Sequence, residues 1–250
     1  MTGYVTPLGS AVLTLIDPDR GAEVEFNRWY ERDHFYGGAL LGPGVLAGGR
    51  FVARAVEKRH RVADDPDVGT LLNAYWLADD GSTFWPWCVE QIPVLIAAGR
   101  MTAPGKVKRV WWLPAPWAEA SAVDGVPPAL ALDRRYPAVV LALVSGDADT
   151  YRGVARTLCE RPGVGLVVGD VPRAVNFRHG PAAALDVVLG LWFLTSAEAA
   201  AEFGVVHDEA VTAAGADVRW RSAFVGTVPG TDTHLDSLWL ASSNREESST

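Results

Sequence analysis

PGVLAGGRFVARAVEKRH, residues 43–60, recurs in the second half of the chain as PGVGLVVGDVPRAVNFRH, residues 162–179. Aligned without gaps, the two stretches share many more identities than the roughly one expected by chance. The identical pairs include Pro43/Pro162, Gly44/Gly163, Val45/Val164, Arg54/Arg173, Ala55/Ala174, Val56/Val175, Arg59/Arg178 and His60/His179. We therefore interpret the chain as a tandem duplication.

The sequence around both copies follows one order of hydrophobic patterns. Each repeat begins with an apolar run that predicts a strand. It continues with residues at helical spacing that predict a first helix, with the recurring segment, and then with a third strand, a second helix and a fourth strand. The predicted strands cover 11–16, 70–78 and 107–113 in the first repeat, and 139–144, 185–195 and 218–228 in the second. The predicted helices cover 22–36 and 148–160, and later 82–99 and 196–215.

Local signals support the ends of the second helices and the alignment of the third strands. Ser82 and Ser196 stand where a side-chain oxygen would cap a helix, and Gly99 and Gly215 suit the positions just after the last turn. Tyr75-Trp76-Leu77 aligns with Leu191-Trp192-Phe193.

The order βαββαβ, found twice, is the ferredoxin-like plan, in which two helices cover one face of an antiparallel sheet. The other face of each sheet needs a partner, and the second repeat supplies it. The sequence thus predicts an α+β fold of two tandem ferredoxin-like units packed sheet to sheet as an α+β barrel that holds a small ligand. The expected boundaries are 8–115 for the first repeat, 116–136 for a linker, 137–230 for the second repeat and 231–250 for a polar tail.

Composition limits the classes of partner. The net charge is −8 and no basic cluster occurs, which argues against nucleic acid and anionic membranes. No apolar run reaches the about 18 residues of a membrane span and no secretory signal is visible, so a cytoplasmic protein is expected. Cys88 and Cys159 lie far apart and are expected to be reduced and buried, and neither a metal nor another cofactor is expected. The chain is expected to be a monomeric pseudo-dimer or a homodimer.

The first predicted helix carries the most distinctive side chains. Tyr30 and His34 are four residues apart and Asn27 lies one turn earlier, so the three can converge on one rim. The corresponding helix of the second repeat has neither His nor Trp. An imidazole at this rim could act as a general acid or base, although it could also serve only the helix end.

At these residues the sequence resembles the dimeric α+β barrel superfamily, in particular EthD-like proteins, whose first helix carries an aromatic pair followed by His in the manner of Trp29-Tyr30-x-x-x-His34. The resemblance covers about residues 8 to 230, but only the first repeat has the motif. It implies one functional pocket. Relatives of this kind include polyketide cyclases, cofactor-free monooxygenases, decarboxylases, lyases, haem enzymes and proteins of no known activity.

Aromatic residues cluster in the first repeat and could form the wall of a pocket for a flat ligand, or equally a core. The predicted ligand-binding residues are Trp29, Tyr75, Trp76, Trp85, Trp87 and Trp112. Arg54 and His60 recur in both repeats, which favours a structural role, and His207 is expected to be solvated.

The leading functional hypothesis is a metal-independent enzyme with cyclase, dehydratase or lyase chemistry on an aromatic or polyketide-like intermediate. His34 would transfer protons, and Tyr30 and Asn27 would polarise an oxygen. The alternatives are cofactor-independent oxygenation in the same pocket, a non-catalytic binding protein for a small apolar or aromatic ligand, and haem binding.

Overall fold

The computed structural model describes residues 7–101, 103–176 and 180–241. In the first repeat the elements are β1 (Ser10–Pro18), α1 (Glu23–Trp29), β2 (Val45–Val52), α2 (Ala55–Lys58), β3 (Leu71–Leu77), α3 (Phe84–Ala97) and β4 (Gly105–Leu113). Strand β5 (Trp117–Ala120) follows. The second repeat contains β6 (Ala138–Val144), α4 (Ala148–Cys159), β7 (Val164–Asp170), β8 (Arg173–Asn176), β9 (Gly180–Ala184), β10 (Val188–Leu194), α5 (Ala199–Ala213) and β11 (Val218–Gly226).

Within the described residues the strands form one sheet in the order β5-β7-β10-β6-β11-β2-β3-β1-β4-β8-β9. Each repeat contributes its four main strands in the ferredoxin-like order, as β2-β3-β1-β4 and β7-β10-β6-β11. The repeats join where β11 pairs with β2 and where β4 pairs with β8. The predicted tandem ferredoxin-like α+β barrel is therefore confirmed.

The interior between the two halves of the sheet is filled by side chains. Leu13 and Trp76 from the first repeat meet Leu141, Phe193 and Phe224 from the second, and all five are almost completely buried. The Trp76 and Phe193 rings are 6.3 Å apart in an edge-to-face arrangement. Close packing of this kind favours a solid core over a ligand chamber.

The alignment of the third strands is shifted by one residue from the predicted one. Val12 of β1 pairs with Tyr75, and Val140 of β6 pairs with Trp192, so Tyr75 corresponds to Trp192 and Trp76 to Phe193. Side chains alternate between the two faces of a strand, so a shift of one residue moves each side chain from the face that packs against the helices to the face that fills the barrel interior.

The recurring segment does not form one continuous strand in either repeat. In the first, β2 ends at Val52 and helix α2 begins after Arg54, whose backbone N–H donates to Glu57 Oε2 at 2.8 Å. In the second, β7 ends at Asp170 and Arg173 opens strand β8. The second repeat has Asn176 at the position that matches Glu57, so it lacks the carboxylate that accepts the hydrogen bond at the start of α2. His60 is exposed, and His179 lies outside the described residues.

The two glycine predictions are confirmed, because Gly99 and Gly215 adopt positive φ values of 69° and 79° after their helices. Ser196 is not the N-cap of α5, because Glu198 occupies that position, but its Oγ accepts from Ala199 N–H at 3.1 Å. Ser82 is not a cap, because α3 begins only after Thr83, whose hydroxyl donates to Asp79 instead.

Two segments outside the repeats are ordered parts of the fold. Within 116–136, β5 pairs with β7 along the sheet edge. Residues 230–240, here called the C-terminal strap, return from β11 to α1, where Gly230 N–H donates to Glu31 Oε2 at 3.0 Å. The strap ends on Trp239, whose ring lies under Arg20 at 4.5 Å and Lys58 at 4.4 Å. Residues 242–250 of the predicted tail lie outside the described residues.

Cys88 and Cys159 are buried and unpaired, as expected. No helix in the described residues is long and apolar enough to cross a membrane.

Candidate functional site

A cleft of about 350 Å³ opens where the two repeats meet. Strand β2 pairs with β3 along its length, but with β11 only at Phe51 and Val52. Within the described residues the remaining edge of β2 has no strand partner, and the cleft lies beside it. Its lining comes from the helix after α1, from β2, from the segment before β6 and from the residues after β11, and comprises Glu31, Phe35, Tyr36, Gly48, Gly49, Arg50, Phe51, Leu132, Arg134, Arg135, Tyr136, Pro137, Gly226, Thr227, Val228 and Pro229.

The helix beside the cleft has widened turns. It continues from α1 as π-helical segments at Tyr30–His34 and Tyr36–Leu40, and Phe35 N–H donates to the carbonyl oxygen of Tyr30, five residues earlier. Small residues permit its close approach to β2, because a Cβ on Gly48 would lie 2.8 Å from the Phe35 ring. Widened turns of this type are frequent at functional sites because they redirect side chains.

Arg50 is the buried centre of the cleft's polar floor, with 8% of its surface exposed. Its Nη1 donates to Asn27 Oδ1 at 3.0 Å, and its Nε donates to Asn73 Oδ1 at 3.3 Å. Glu31 Oε1 lies 2.8 Å from the same Nη1 as an ion pair, but at angles that make no hydrogen bond. Arg50 Nη2 is buried and has no hydrogen-bond partner among the described residues. The floor therefore contains one unpaired donor and one unpaired acceptor, both of them buried.

Tyr30 and Tyr75 lie next to this floor. Their hydroxyl oxygens are 2.9 Å apart, and the Arg50 guanidinium stands 4.8 Å from the centre of the Tyr30 ring. Burial raises the pKa of Tyr30, and it raises the pKa of Tyr75 well above its ordinary value. Both phenols are therefore neutral, and they form a hydrogen-bonded pair beneath the helix.

His34 lies on the same helix but is not part of the cleft lining. Its ring stacks on Trp29 with centroids 4.7 Å apart, and its Nδ1 is buried without a hydrogen-bond partner. A Cβ on Gly38 would come within 2.7 Å of the imidazole, so the glycine is needed for this packing. Desolvation lowers the pKa of His34 to about 4, despite the opposing charge of Asp33. The imidazole is therefore neutral at pH 7.

The low pKa of His34 predicts acid sensitivity. Below its ordinary pKa of 6.5 the unfolded chain binds a proton that the folded protein takes up only near pH 4, so stability falls as the pH drops through this range. Between pH 7.5 and pH 5.0 we expect His34 to account for a loss of about 2 kcal/mol in the free energy of unfolding. Urea unfolding of wild type and His34→Gln at both pH values checks this, because only the wild type should show the extra loss. Equal losses would contradict it.

The other predicted site residues fall into separate groups. Asn27, Trp29, Tyr30, His34 and Tyr75 do come together around the first helix, and Trp29 Nε1 donates to Arg100 O at 2.9 Å. Trp76 instead belongs to the barrel core. A third group lies beside α3, where Trp85 and Trp112 meet at 6.0 Å and Trp87 packs on Phe84. None of the nine predicted residues lines the cleft.

Glu31 and Arg50 are functional candidates that the sequence analysis missed. A signal existed, because Arg50 is a lone charged residue inside the apolar strand Gly48-Gly49-Arg50-Phe51-Val52. Buried arginines are rare unless they are paired, so such a residue calls for a partner such as Glu31.

The prediction that His207 is solvated is wrong. Its ring is completely buried, with Nε2 2.8 Å from the Tyr151 hydroxyl and Nδ1 3.0 Å from Asp208 Oδ1. Asp208 also accepts from Arg221 Nε at 2.9 Å, and Trp192 Nε1 donates to Tyr151. The helical stretch around His207 looks charged in sequence, yet this one side chain points inward and packs a hydrogen-bonded core in the second repeat.

Comparison with known proteins places the fold. No protein-family profile matches the chain, and no curated protein matches it significantly. Among solved structures, an anthrone oxidase-like protein is similar over 90% of this chain and 95% of its own, with 12% identity and a TM-score of 0.50. A DypB variant from Rhodococcus jostii RHA1 in complex with heme has 9% identity and a TM-score of 0.48 over 93% and 96% of the two chains. A putative chlorite dismutase has 8% identity and a TM-score of 0.46 over 89% and 96%. The first of these similarities shows a shared fold. The other two have lower TM-scores and support no conclusion.

In the part of the chain that the structure describes, the cleft lining includes no histidine or cysteine to bind a haem iron, and Tyr36 and Tyr136 are its only side chains of a type known as an axial ligand. His34 is enclosed by Trp29 and Gly38, and both ring nitrogens of His207 are engaged.

Proposed function

We propose that the protein is a small-molecule enzyme that transfers protons in the cleft between its two repeats. The reaction belongs to the cyclase, dehydratase or lyase type and acts on an aromatic or polyketide-like compound. The observation that carries the proposal is the Glu31 carboxylate on the cleft floor, whose Oε1 is free of hydrogen bonds and lies 2.8 Å from Arg50 Nη1.

The surroundings of Glu31 suit a proton-transfer group. Its Oε2 accepts from Gly230 N–H at 3.0 Å, which fixes the orientation of the carboxylate, and its Oε1 faces Arg50, where it is buried without a hydrogen-bond partner among the described residues. A positioned carboxylate can remove a proton from an acidic C–H and become the acid, while the electron pair stays on the substrate as an enolate. Returning that proton at another carbon or at a leaving oxygen gives rearrangement or elimination.

In this proposal the residues singled out by the sequence take positioning roles. Asn27 holds Arg50 through its Oδ1, and the Tyr30 ring lies beneath the guanidinium. His34 packs the widened helical turn. The assignment of His34 as the general acid or base is a competing prediction. We also propose that the protein is related to EthD-like proteins.

Cofactor-independent oxygenation is the second candidate. One solved structure with the same fold is named an anthrone oxidase-like protein, and an enolate formed by Glu31 is the kind of electron-rich species that molecular oxygen attacks. A non-catalytic binding protein is the remaining alternative.

Deuterium exchange tests the proposal without knowledge of the natural substrate. Anthrone and 2-naphthoylacetate both carry an acidic C–H on a flat aromatic frame. We expect the protein to accelerate exchange of these protons in D₂O, followed by NMR, over a buffer blank. Oxygen uptake at an electrode during the same incubation would identify the oxygenase. Binding of either compound without accelerated exchange would contradict the proposal of an enzyme and favour a non-catalytic binding protein.

A further inference from the structure

The buried guanidinium of Arg50 has more hydrogen-bonding capacity than the protein uses. Asn27, Asn73 and the Glu31 carboxylate surround its Nε and Nη1, whereas Nη2 has no acceptor. A buried donor without a partner is costly, so a native protein keeps one where a ligand or water completes it. Arg50 is one of the residues that line the cleft, but its Nη2 is itself buried, so a cleft ligand reaches this donor only when the side chains that cover it move apart.

The charge of the cleft has the opposite sign to the charge of the whole chain. Three arginines, Arg50, Arg134 and Arg135, line it against the single acid Glu31, although the protein carries a net charge of −8. Both rim arginines are exposed. A positive cleft in a negative protein raises the local concentration of anions and disfavours cations.

We infer that the cleft takes its substrate as an organic anion, whose carboxylate accepts a hydrogen bond from Arg50 Nη2 while Arg134 and Arg135 draw it in. This inference rests on the proposed function and names its substrate class. Arg50 Nη1 and Glu31 Oε1 are 2.8 Å apart, so a carboxylate bound at the other terminal nitrogen of the same guanidinium lies close to Glu31. The matching class is an aromatic 3-oxo acid, in which the acidic C–H lies beside the carboxylate.

Calorimetric titration with sodium 2-naphthoate and with 2-naphthamide tests the inference, because the two probes share one shape and differ in charge. We expect the wild type to bind naphthoate at least about tenfold more tightly than the amide, since a charge-assisted hydrogen bond is stronger than a neutral one. In the double variant Glu31→Gln/Arg50→Met, which removes both members of the buried pair, that preference should vanish.

Two further variants separate this inference from the proposed function. Glu31→Gln alone should retain the preference for naphthoate even though it loses deuterium exchange, because Arg50 is intact. Arg32→Met, an exposed residue of the same helix outside the cleft lining, should retain both. Equal affinity of the wild type for both probes, no binding of naphthoate, or a preference that survives in the double variant would each overturn the inference.

Discussion

Replacing Glu31 with glutamine is expected to slow deuterium exchange of anthrone and 2-naphthoylacetate by about 10²- to 10⁴-fold, the usual contribution of a positioned acid–base group. Glutamine has nearly the same shape, and its amide oxygen can still accept the hydrogen bond from Gly230 N–H. It cannot take up the substrate proton. Initial exchange rates by NMR, at probe concentrations above saturation, measure the loss directly.

His34→Gln is the matched control for this result. It changes a titratable residue three positions along the same helix that does not line the cleft, so exchange should stay within the same order of magnitude. Circular dichroism of both variants checks that they are folded. The opposite result, a large loss in His34→Gln and a small one in Glu31→Gln, would restore His34 as the general acid or base and refute the role of Glu31.

Trp76→Ala is expected to lower the free energy of unfolding by about 3–5 kcal/mol, the typical cost of emptying a large aromatic site in a core. The indole is completely buried and packs on Phe193 across the join between the repeats, so neither half can fill the cavity alone. Chemical unfolding at constant pH measures the change. Binding of naphthoate to the folded fraction should be unaffected, because Trp76 does not line the cleft.

Trp87→Ala provides the comparison, since Trp87 is only partly buried beside α3 and should cost clearly less. If Trp76→Ala does not fold, Trp76→Phe gives a smaller loss of the same sign. A variant at Trp76 that keeps its stability but loses naphthoate binding would show that this residue contacts the ligand, as the sequence analysis predicts.

The sequence predicts the fold because the two repeats show the same order of strand and helix patterns. Strand β1 and its counterpart β6 are apolar runs whose burial follows from composition alone. Register is harder to predict, because Tyr75-Trp76-Leu77 and Leu191-Trp192-Phe193 are apolar throughout and lack the alternation that distinguishes the two faces. The one-residue shift decides the face of the sheet on which Trp76 lies, and the structure places it in the barrel core.

The site is predictable only in part, because some of its residues are close together in the sequence and others are far apart. Asn27, Tyr30 and His34 are grouped by helical spacing, which sequence reveals. Glu31 and Arg50 become a site only because β2 lacks a strand partner along part of its edge and because Gly230 reaches Glu31 from 199 residues away. No local pattern encodes such meetings.

The C-terminal strap gives the protein an unusual order of completion during synthesis. The first repeat emerges from the ribosome first, but Asn27 and Glu31 acquire their partners Thr231 and Gly230 only after the second repeat has been translated. The cleft, which residues of both repeats line, therefore acquires its full set of contacts only once the second repeat and the strap have been made.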